Sequence, residues 1–176
     1  MLELIYHGEP VRLVRVRRMG RIRLARDPRR RWTLTVPEGV EPASAAQFLA
    51  AYERPERGSG VSDERLKALQ AGWSARLGLG EVRLEIVPLP GCWGKCLFDG
   101  PVILINEAAR RLPERAAEEL LVHELCHLRV KDHRPAFWQM MTEVMPDWAA
   151  REGTIRALWR EMEVKAACDS VNTKSE

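Results

Sequence analysis

Alternation of apolar and polar residues predicts β-strands over the first third of the chain. The alternation runs through residues 11–16, 21–26 and 32–36, and arginine or threonine supplies most of the polar positions. A period of two is typical of a strand that buries one face. Met19-Gly20 and Asp27-Pro28 are turn signals between these runs. The pattern therefore predicts a small antiparallel β-meander with one apolar face and one arginine-rich face.

Helical periodicity dominates the rest of the chain. Ser62 is suited to cap a helix, and Pro113 is suited to a first helical position. The predicted elements are a short helix over 43–53, a helix over 62–77, strands over 82–86 and 102–106 with an irregular segment over 88–95 between them, and helices that begin near residues 113, 135 and 147. Strands that are followed by helices indicate an α+β fold.

A polar, glycine-containing segment over residues 55–60 is the candidate internal boundary. It divides a basic, β-rich N-terminal region, residues 1–60, from a mostly helical region, residues 61–164. Residues 165–176 are polar and are predicted to be a disordered tail, since they offer little apolar surface to bury. A chain of 176 residues fits one domain, or one domain with an appendage.

His123-Glu124-Leu125-Cys126-His127 is the segment that points most clearly to chemistry. Two histidines four residues apart lie one turn apart on the same face of a helix. Both imidazoles can therefore reach one metal ion at about 2.0–2.1 Å. Glu124, beside the first ligand, can act as the general base that deprotonates a water held at the metal. The flanking residues are apolar, so these polar groups would be costly to bury without a partner.

His133 offers a third nitrogen six residues beyond His127. Three protein ligands with one position left for water are typical of catalytic zinc. We therefore expect one Zn²⁺ ion held by His123, His127 and His133, which makes residues 61–164 the metal-binding catalytic region. Nitrogen ligands also accept nickel, cobalt or iron, so the metal is inferred from its ligands.

The ligand spacing matches one zincin pattern, with a difference at the turn. Val130 stands where that pattern has the glycine at which the chain turns back. The turn is therefore expected at Lys131-Asp132. Candidates for acidic partners of the histidine rings are Asp132, Glu118, Glu119 and Glu143.

Charge is distributed unevenly along the chain. Residues 1–60 carry twelve arginines and seven acidic residues, a net charge of +5, whereas the remainder has a net charge of −2. Ten of the arginines lie between Arg12 and Arg31. This face is either a solvated outer surface or a surface for an anionic partner, such as nucleic acid or phosphate. Trp32 and Tyr6 are the aromatic residues available there for base stacking, which weakens the nucleic-acid interpretation.

Several features of the sequence indicate a cytoplasmic protein without a membrane partner. No apolar run approaches the roughly eighteen residues that span a bilayer. The N-terminus lacks the basic and apolar regions of a signal peptide. Four cysteines in a chain of this length do not suggest a disulfide framework. Cys126 points to a different helix face from the histidines and is predicted to be a small buried apolar residue.

The residues around the motif resemble a known family. The similar segments are Val122-His-Glu-Leu-Cys-His-Leu-Arg, Asp132-His133, Ala136-Phe137-Trp138 and Pro146-Asp147-Trp148, with Trp93-Gly94-Lys95-Cys96 upstream. They resemble the signature of the YgjP-like metal-dependent hydrolases, a metallopeptidase-like zincin family related to SprT-like domains. The resemblance implies a zincin-like fold, metal binding by the three histidines, and Glu124 as the catalytic base. Pro90-Gly91-Cys92 departs from the family, whose members usually carry basic and small polar residues there.

Three functional hypotheses follow. The first is a zinc-dependent hydrolase, a metallopeptidase that acts on peptides. The second is hydrolysis of a nucleotide or phosphoanhydride at the same site, because the arginines and Lys95 suit an anionic small molecule. The third is a nucleic-acid-associated module whose zinc only stabilises the fold, for which a fourth protein ligand is usual. For a peptide substrate, the strand over 102–106 is in the right place to pair with the extended chain, and an ordinary core strand is the alternative interpretation of the same residues.

Overall fold

The computed structural model describes residues 3–17 and 19–172, with side chains as far as residue 163. Its elements, in chain order, are β1 (Ile5–Tyr6), β2 (Glu9–Val16), β3 (Arg23–Arg26), β4 (Trp32–Pro37), α1 (Pro42–Glu53), α2 (Asp63–Arg76), β5 (Arg83–Val87), β6 (Gly94–Leu97), β7 (Val102–Asn106), a 3₁₀ turn (Glu107–Arg111), α3 (Glu114–His127), α4 (Pro135–Val144) and α5 (Trp148–Asn172). Two small sheets and a helical C-terminal half confirm the α+β fold class. Among the helices of the described residues, none combines the length and apolar character that a bilayer crossing requires.

The N-terminal sheet, with strand order β1-β2-β4-β3, differs from the expected antiparallel meander because β2 and β4 run parallel. β3 and β4 form the predicted hairpin, which is closed by hydrogen bonds from the Arg31 backbone and side chain to Asp27. β4 lies in the interior of the sheet, and its Leu34 and Val36 are fully buried. A parallel neighbour requires a connection that crosses over. The connection between β2 and β3 makes that crossing past β4, which brings Gly20 against His133 in the C-terminal half.

The C-terminal sheet has the order β5-β7-β6. β7 lies in the middle, parallel to β5 and antiparallel to β6, so both of its edges are already paired. The expectation that residues 102–106 pair with substrate is therefore wrong. The edge strands are β5 and β6, and β6 overlaps the end of the segment predicted to be irregular. Asn106 fixes the preceding loop, since its side-chain amide donates to the carbonyl oxygens of Leu89 and Cys92 at 2.7 and 2.8 Å.

Helix α3 lies at the centre of the molecule, and ten of its fourteen residues are buried. It lies within the predicted helix, and α4 begins at Pro135 as predicted. Helix α5 continues through residues 165–172, where the polar composition predicted disorder, and the remaining residues 173–176 lie outside the described residues. The division of the chain at residues 60 and 61 stays a prediction.

Helices α1 and α5 approach closely at Gly153, which lies inside α5. A Cβ atom built on Gly153 would lie 2.4 Å from the carbonyl oxygen of Phe48 and 3.1 Å from the Cβ atom of Ala51. The first contact is with backbone, so it cannot be relieved by rotating a side chain. Glycine at this position therefore sets the distance between the two helices, although it lowers intrinsic helix stability.

We expect Gly153→Ala to destabilise the protein by about 1–3 kcal/mol, because α1 and α5 must separate to admit the methyl group. Urea denaturation followed by circular dichroism measures this change. Gly72→Ala is the matched control, since Gly72 lies inside α2 and a Cβ atom there meets nothing within 4 Å. That control should gain about 0.4–1 kcal/mol. Equal stability changes in the two variants would contradict the close crossing.

Candidate metal centre

Three histidines converge at the C-terminal end of α3. His123 and His127 lie one turn apart on α3, and His133 returns from the loop before α4. The Nε2 atom of His133 lies 3.0 Å from the Nε2 atoms of both other histidines. Nitrogens bound tetrahedrally to one zinc ion at 2.0–2.1 Å are about 3.4 Å apart. Among the described residues, these three form the group whose ligand atoms could hold a metal ion.

The chain returns from α3 to His133 without a glycine. Leu128 keeps a right-handed backbone, and the Val130 N–H donates to the carbonyl oxygen of Cys126. The backbone N–H of Arg134 donates to the Asp132 carboxylate, which closes the end of the loop. Val130 therefore substitutes for the glycine of the zincin pattern in an ordinary backbone conformation, and its carbonyl oxygen is left to bind His127.

Neighbouring groups fix the orientation of each imidazole ring. The Nδ1–H of His127 donates to the carbonyl oxygen of Val130 at 3.0 Å, which leaves a lone pair on Nε2. The Phe137 ring contacts all three histidine rings, with centroid distances of 4.4 to 4.9 Å. Trp138 stacks on His133 and donates its indole N–H to the His133 carbonyl oxygen at 3.0 Å. These contacts hold the three Nε2 atoms towards one point.

The electrostatics of the cluster favour a bound cation. Burial lowers the pKa of all three histidines, that of His123 well below its ordinary value and that of His133 to about 4. The rings are therefore neutral, which is the state that binds a metal. Lone pairs that face one another at 3.0 Å repel, and one proton cannot bridge all three nitrogens. A divalent cation satisfies all three at once, so the residues present fit a metal ion.

Glu124 is buried beside the histidines and faces the same cavity. Burial raises the pKa of its carboxyl group to about 8, and a divalent cation in the cluster would act in the opposite direction. Gly94 of β6 packs against it, and a Cβ atom there would lie 2.6 Å from Glu124 Oε1. Only a glycine at the start of β6 therefore lets the edge strand approach the carboxylate this closely.

Glu119 is the acidic residue closest to the outer side of the cluster. Its Oε1 atom is buried without a hydrogen-bond partner and lies 3.9 Å from His123 Nδ1. Burial, followed by the nearby Glu152, raises the pKa of Glu119 well above its ordinary value. The other three candidates from the sequence are occupied elsewhere: Glu118 binds Trp73 and Arg151, Asp132 binds Arg134, and Glu143 binds Gln139.

We expect Glu119→Leu to lower zinc affinity by about 10–100-fold, the usual effect of removing the group behind a metal-binding histidine. Competition with a chromophoric chelator measures the affinity. Glu119→Gln should lose less, because its amide oxygen keeps a polar acceptor close to His123 Nδ1. Glu143→Gln removes an exposed acidic group from α4 and serves as the control. Unchanged zinc affinity in Glu119→Leu would contradict this role.

Sequence reasoning did not predict that β6 and the β2–β3 connection place residues in the metal site. Gly94 touches Glu124, and a Cβ atom on Gly20 would lie 3.0 Å from His133 Nδ1. For β6, the available signal in the sequence was the Trp93-Gly94-Lys95-Cys96 element. Nothing in the local pattern marks Gly20, because its contact depends on the crossing of the N-terminal sheet. Cys126 is fully buried, as predicted, and burial raises its pKa to about 12.

The fold and the histidine cluster together define a metallopeptidase-like domain of the H-E-x-x-H type. The chain belongs to the YgjP-like, metallopeptidase domain family, whose model matches residues 5–157. This match confirms the resemblance seen in the sequence, and it supports a metal-dependent hydrolase. A comparison with curated proteins gives no match.

Two solved structures show local similarity to the chain. The metallopeptidase zymogen of Pyrococcus abyssi abylysin is 26% identical, with 54% of this chain and 93% of that chain covered and a TM-score of 0.47. The metallopeptidase zymogen of Methanocaldococcus jannaschii jannalysin is 15% identical, with 51% and 83% covered and a TM-score of 0.42. Both TM-scores are below 0.5, so family membership rests on the match to the family model.

Proposed function

We propose that this protein is a zinc-dependent peptidase in which His123, His127 and His133 hold the metal and Glu124 is the general base. The observation that carries the proposal is the convergence of three neutral imidazoles beside one buried carboxylate. All four side chains line a cavity of about 560 Å³. That cavity is large enough to admit part of an extended peptide.

The roles of the residues follow from their positions. Zinc, when bound, supplies a Lewis acid that lowers the pKa of water towards about 7 and polarises a carbonyl group. Glu124 takes a proton from the attacking water at a carboxylate oxygen and transfers it to the leaving amine nitrogen. Phe137 and the Val130 carbonyl oxygen keep the His127 ring in place. Burial of Glu124 excludes bulk water from the proton transfer.

The edge strand β6 supports a peptide substrate. Its one partner in the sheet is β7, so its outer edge has backbone groups left for an extended chain. Residues 91–96 line the cavity, and Gly94 brings the strand against Glu124. A peptide that pairs with this edge would pass directly over the histidines. A nucleotide has no comparable use for strand pairing.

Two other functions remain as alternatives. Hydrolysis of a nucleotide or phosphoanhydride is favoured by the basic side chains in the cavity wall, namely Arg21, Lys95, Lys131 and Arg156. A purely structural zinc ion would usually have a fourth protein ligand. The cluster has three members among the described residues, and Cys126 is not one of them. This open arrangement favours an enzyme over a nucleic-acid-associated module.

A parallel screen separates peptide from nucleotide substrates. The zinc-loaded protein is incubated with denatured casein, with a quenched peptide library and with the common nucleoside triphosphates, and products are followed by mass spectrometry. The proposal predicts peptide-bond cleavage that disappears after chelation and returns with zinc. Zinc-dependent hydrolysis of nucleotides without cleavage of any peptide would refute it.

A further inference from the structure

A second cavity, of about 580 Å³, adjoins the metal cleft. The two cavities share four lining residues: Gly20, Arg21, Gly91 and Arg156. The β2–β3 connection, the β5–β6 loop and α5 therefore form one continuous wall. A ligand that extends from the histidines along this wall would reach the second cavity.

Four arginines line this second cavity. Arg21 and Arg23 come from the N-terminal region, and Arg156 and Arg160 come from α5. Glu163 is the acidic residue in the same wall. The cavity therefore carries a clear excess of positive charge beside the metal cleft.

Ion pairing divides the arginine-rich N-terminal region into two groups. Arg17, Arg26 and Arg31 are paired with the carboxylates of Glu38, Glu9 and Asp27 respectively. Arg21 and Arg23 make no ion pair with any described residue. Arg12, Arg15, Arg29 and Arg30 are also without an ion pair to a described residue, but among these unpaired arginines it is Arg21 and Arg23 that line the second cavity.

The arginines of α5 add donors to the same wall. Arg156 binds Glu152 through Nε at 2.6 Å, and its terminal nitrogens make no hydrogen bond with a described residue. Arg160 lies over the Tyr52 ring at 5.3 Å. A guanidinium with free terminal N–H groups binds a carboxylate in a bidentate manner.

We propose that this arginine-lined cavity binds an acidic side chain of the peptide substrate, near the scissile bond. This inference rests on the proposed peptidase function, because it assigns a specificity site to the same cleft. The ligand class is a peptide with Asp or Glu within a few residues of the bond that is cleaved. The charges and the shared wall together place the carboxylate between Arg21 and Arg156.

The aromatic residues of the cavity argue against single-stranded nucleic acid. Base recognition of that kind uses exposed aromatic faces on which bases stack. Tyr52 is stacked on Phe48 at 5.7 Å and covered by Arg160 on its ring. Trp159 packs against Trp93 at 4.7 Å. These contacts take the surfaces that bases would need.

Paired peptide libraries test the proposal. Each pair differs by Glu or Gln at one position, so that charge changes while size is kept. Affinity is measured by fluorescence anisotropy with the zinc-loaded Glu124→Gln variant, which separates binding from turnover, and cleavage is measured with the unaltered protein. At one position or more we expect the Glu library to bind roughly threefold to tenfold more tightly, with the preference weakened at high salt.

Two double variants test whether Arg21 and Arg23 cause the preference for Glu over Gln. Arg21→Gln with Arg23→Gln should reduce the Glu-to-Gln affinity ratio to about one. Arg12→Gln with Arg15→Gln removes the same charge from β2, outside both cavities, and should keep the ratio of the parent protein. A ratio of one in the parent protein, or equal ratios in the two double variants, would overturn the proposal. Tighter binding of a single-stranded oligonucleotide at these arginines would overturn it as well.

The two proposals can fail separately. A Glu preference in binding without any peptide cleavage supports the acidic site and contradicts the peptidase. Zinc-dependent cleavage without a Glu preference supports the peptidase and contradicts the acidic site.

Discussion

Replacing His123 and His127 with alanine is expected to remove bound zinc, from about one ion per chain to a trace. The two side chains supply two of the three nitrogens that converge at the end of α3. A single remaining imidazole, His133, binds zinc far more weakly than three preorganised ones. Inductively coupled plasma mass spectrometry of the purified proteins measures the metal content.

A third histidine replacement provides the matched control. His7 is the histidine outside the cluster, and it lies exposed beside Glu53. His7→Ala should therefore retain the full zinc content. Equal zinc contents in the double variant and the unaltered protein would refute the assignment of the ligands. Thermal denaturation of each protein distinguishes the loss of ligands from the loss of the fold.

The second large effect is expected from Glu124→Gln, which should lower kcat by about 10²–10⁴-fold. The amide has the shape of the carboxylate and fits against Gly94, but it cannot take a proton from water. Zinc content should be unchanged, because Glu124 is not a member of the histidine cluster. The measurement is peptide cleavage by zinc-loaded protein at saturating substrate.

The control for this variant removes the same charge at an exposed position of the same helix. Glu114→Gln, in the first turn of α3, should keep kcat within about twofold, since exposed ion pairs contribute little. Peptide cleavage by Glu124→Gln at a rate close to that of the unaltered protein would rule out this residue as the base. The same substitution tests any nucleotide hydrolysis that the screen detects.

The convergence of the three histidines could be predicted because their geometry is largely local. Helical periodicity alone brings His123 and His127 to one face of α3. His133 follows six residues later, so a short loop limits where its ring can lie. The pair of aromatic residues that orients it, Phe137 and Trp138, could be recognised only through the resemblance to the family.

The strand pairings that complete the site could not be predicted, since they depend on contacts between distant residues. The alternation in residues 11–16 identifies a strand but not its neighbour, and the parallel pairing of β2 with β4 leaves no local mark. β6 is four residues long and begins with a glycine, so its sequence resembles a loop. The pairing of β2 with β4 and the position of β6 both determine which residues reach the metal cleft.

The role of the arginine-rich region also could not be predicted from the sequence, because it depends on contacts between distant residues. From the sequence, a solvated outer face was the favoured interpretation, and a surface for an anionic partner was the alternative. In the structure, Arg17, Arg26 and Arg31 are paired internally, whereas Arg21 and Arg23 line a cavity. These ion pairs depend on the register of β2, β3 and β4, which cannot be inferred from the amino-acid composition.

Zinc-edge anomalous diffraction from crystals of the zinc-loaded protein tests the metal centre most directly. The account predicts one anomalous peak at about 2.0–2.1 Å from the Nε2 atoms of His123, His127 and His133, without a fourth protein ligand. A peak at another position, such as Cys92 and Cys96, would contradict it. So would a fourth protein side chain in the coordination sphere, because it would leave no position for the water that Glu124 is proposed to deprotonate.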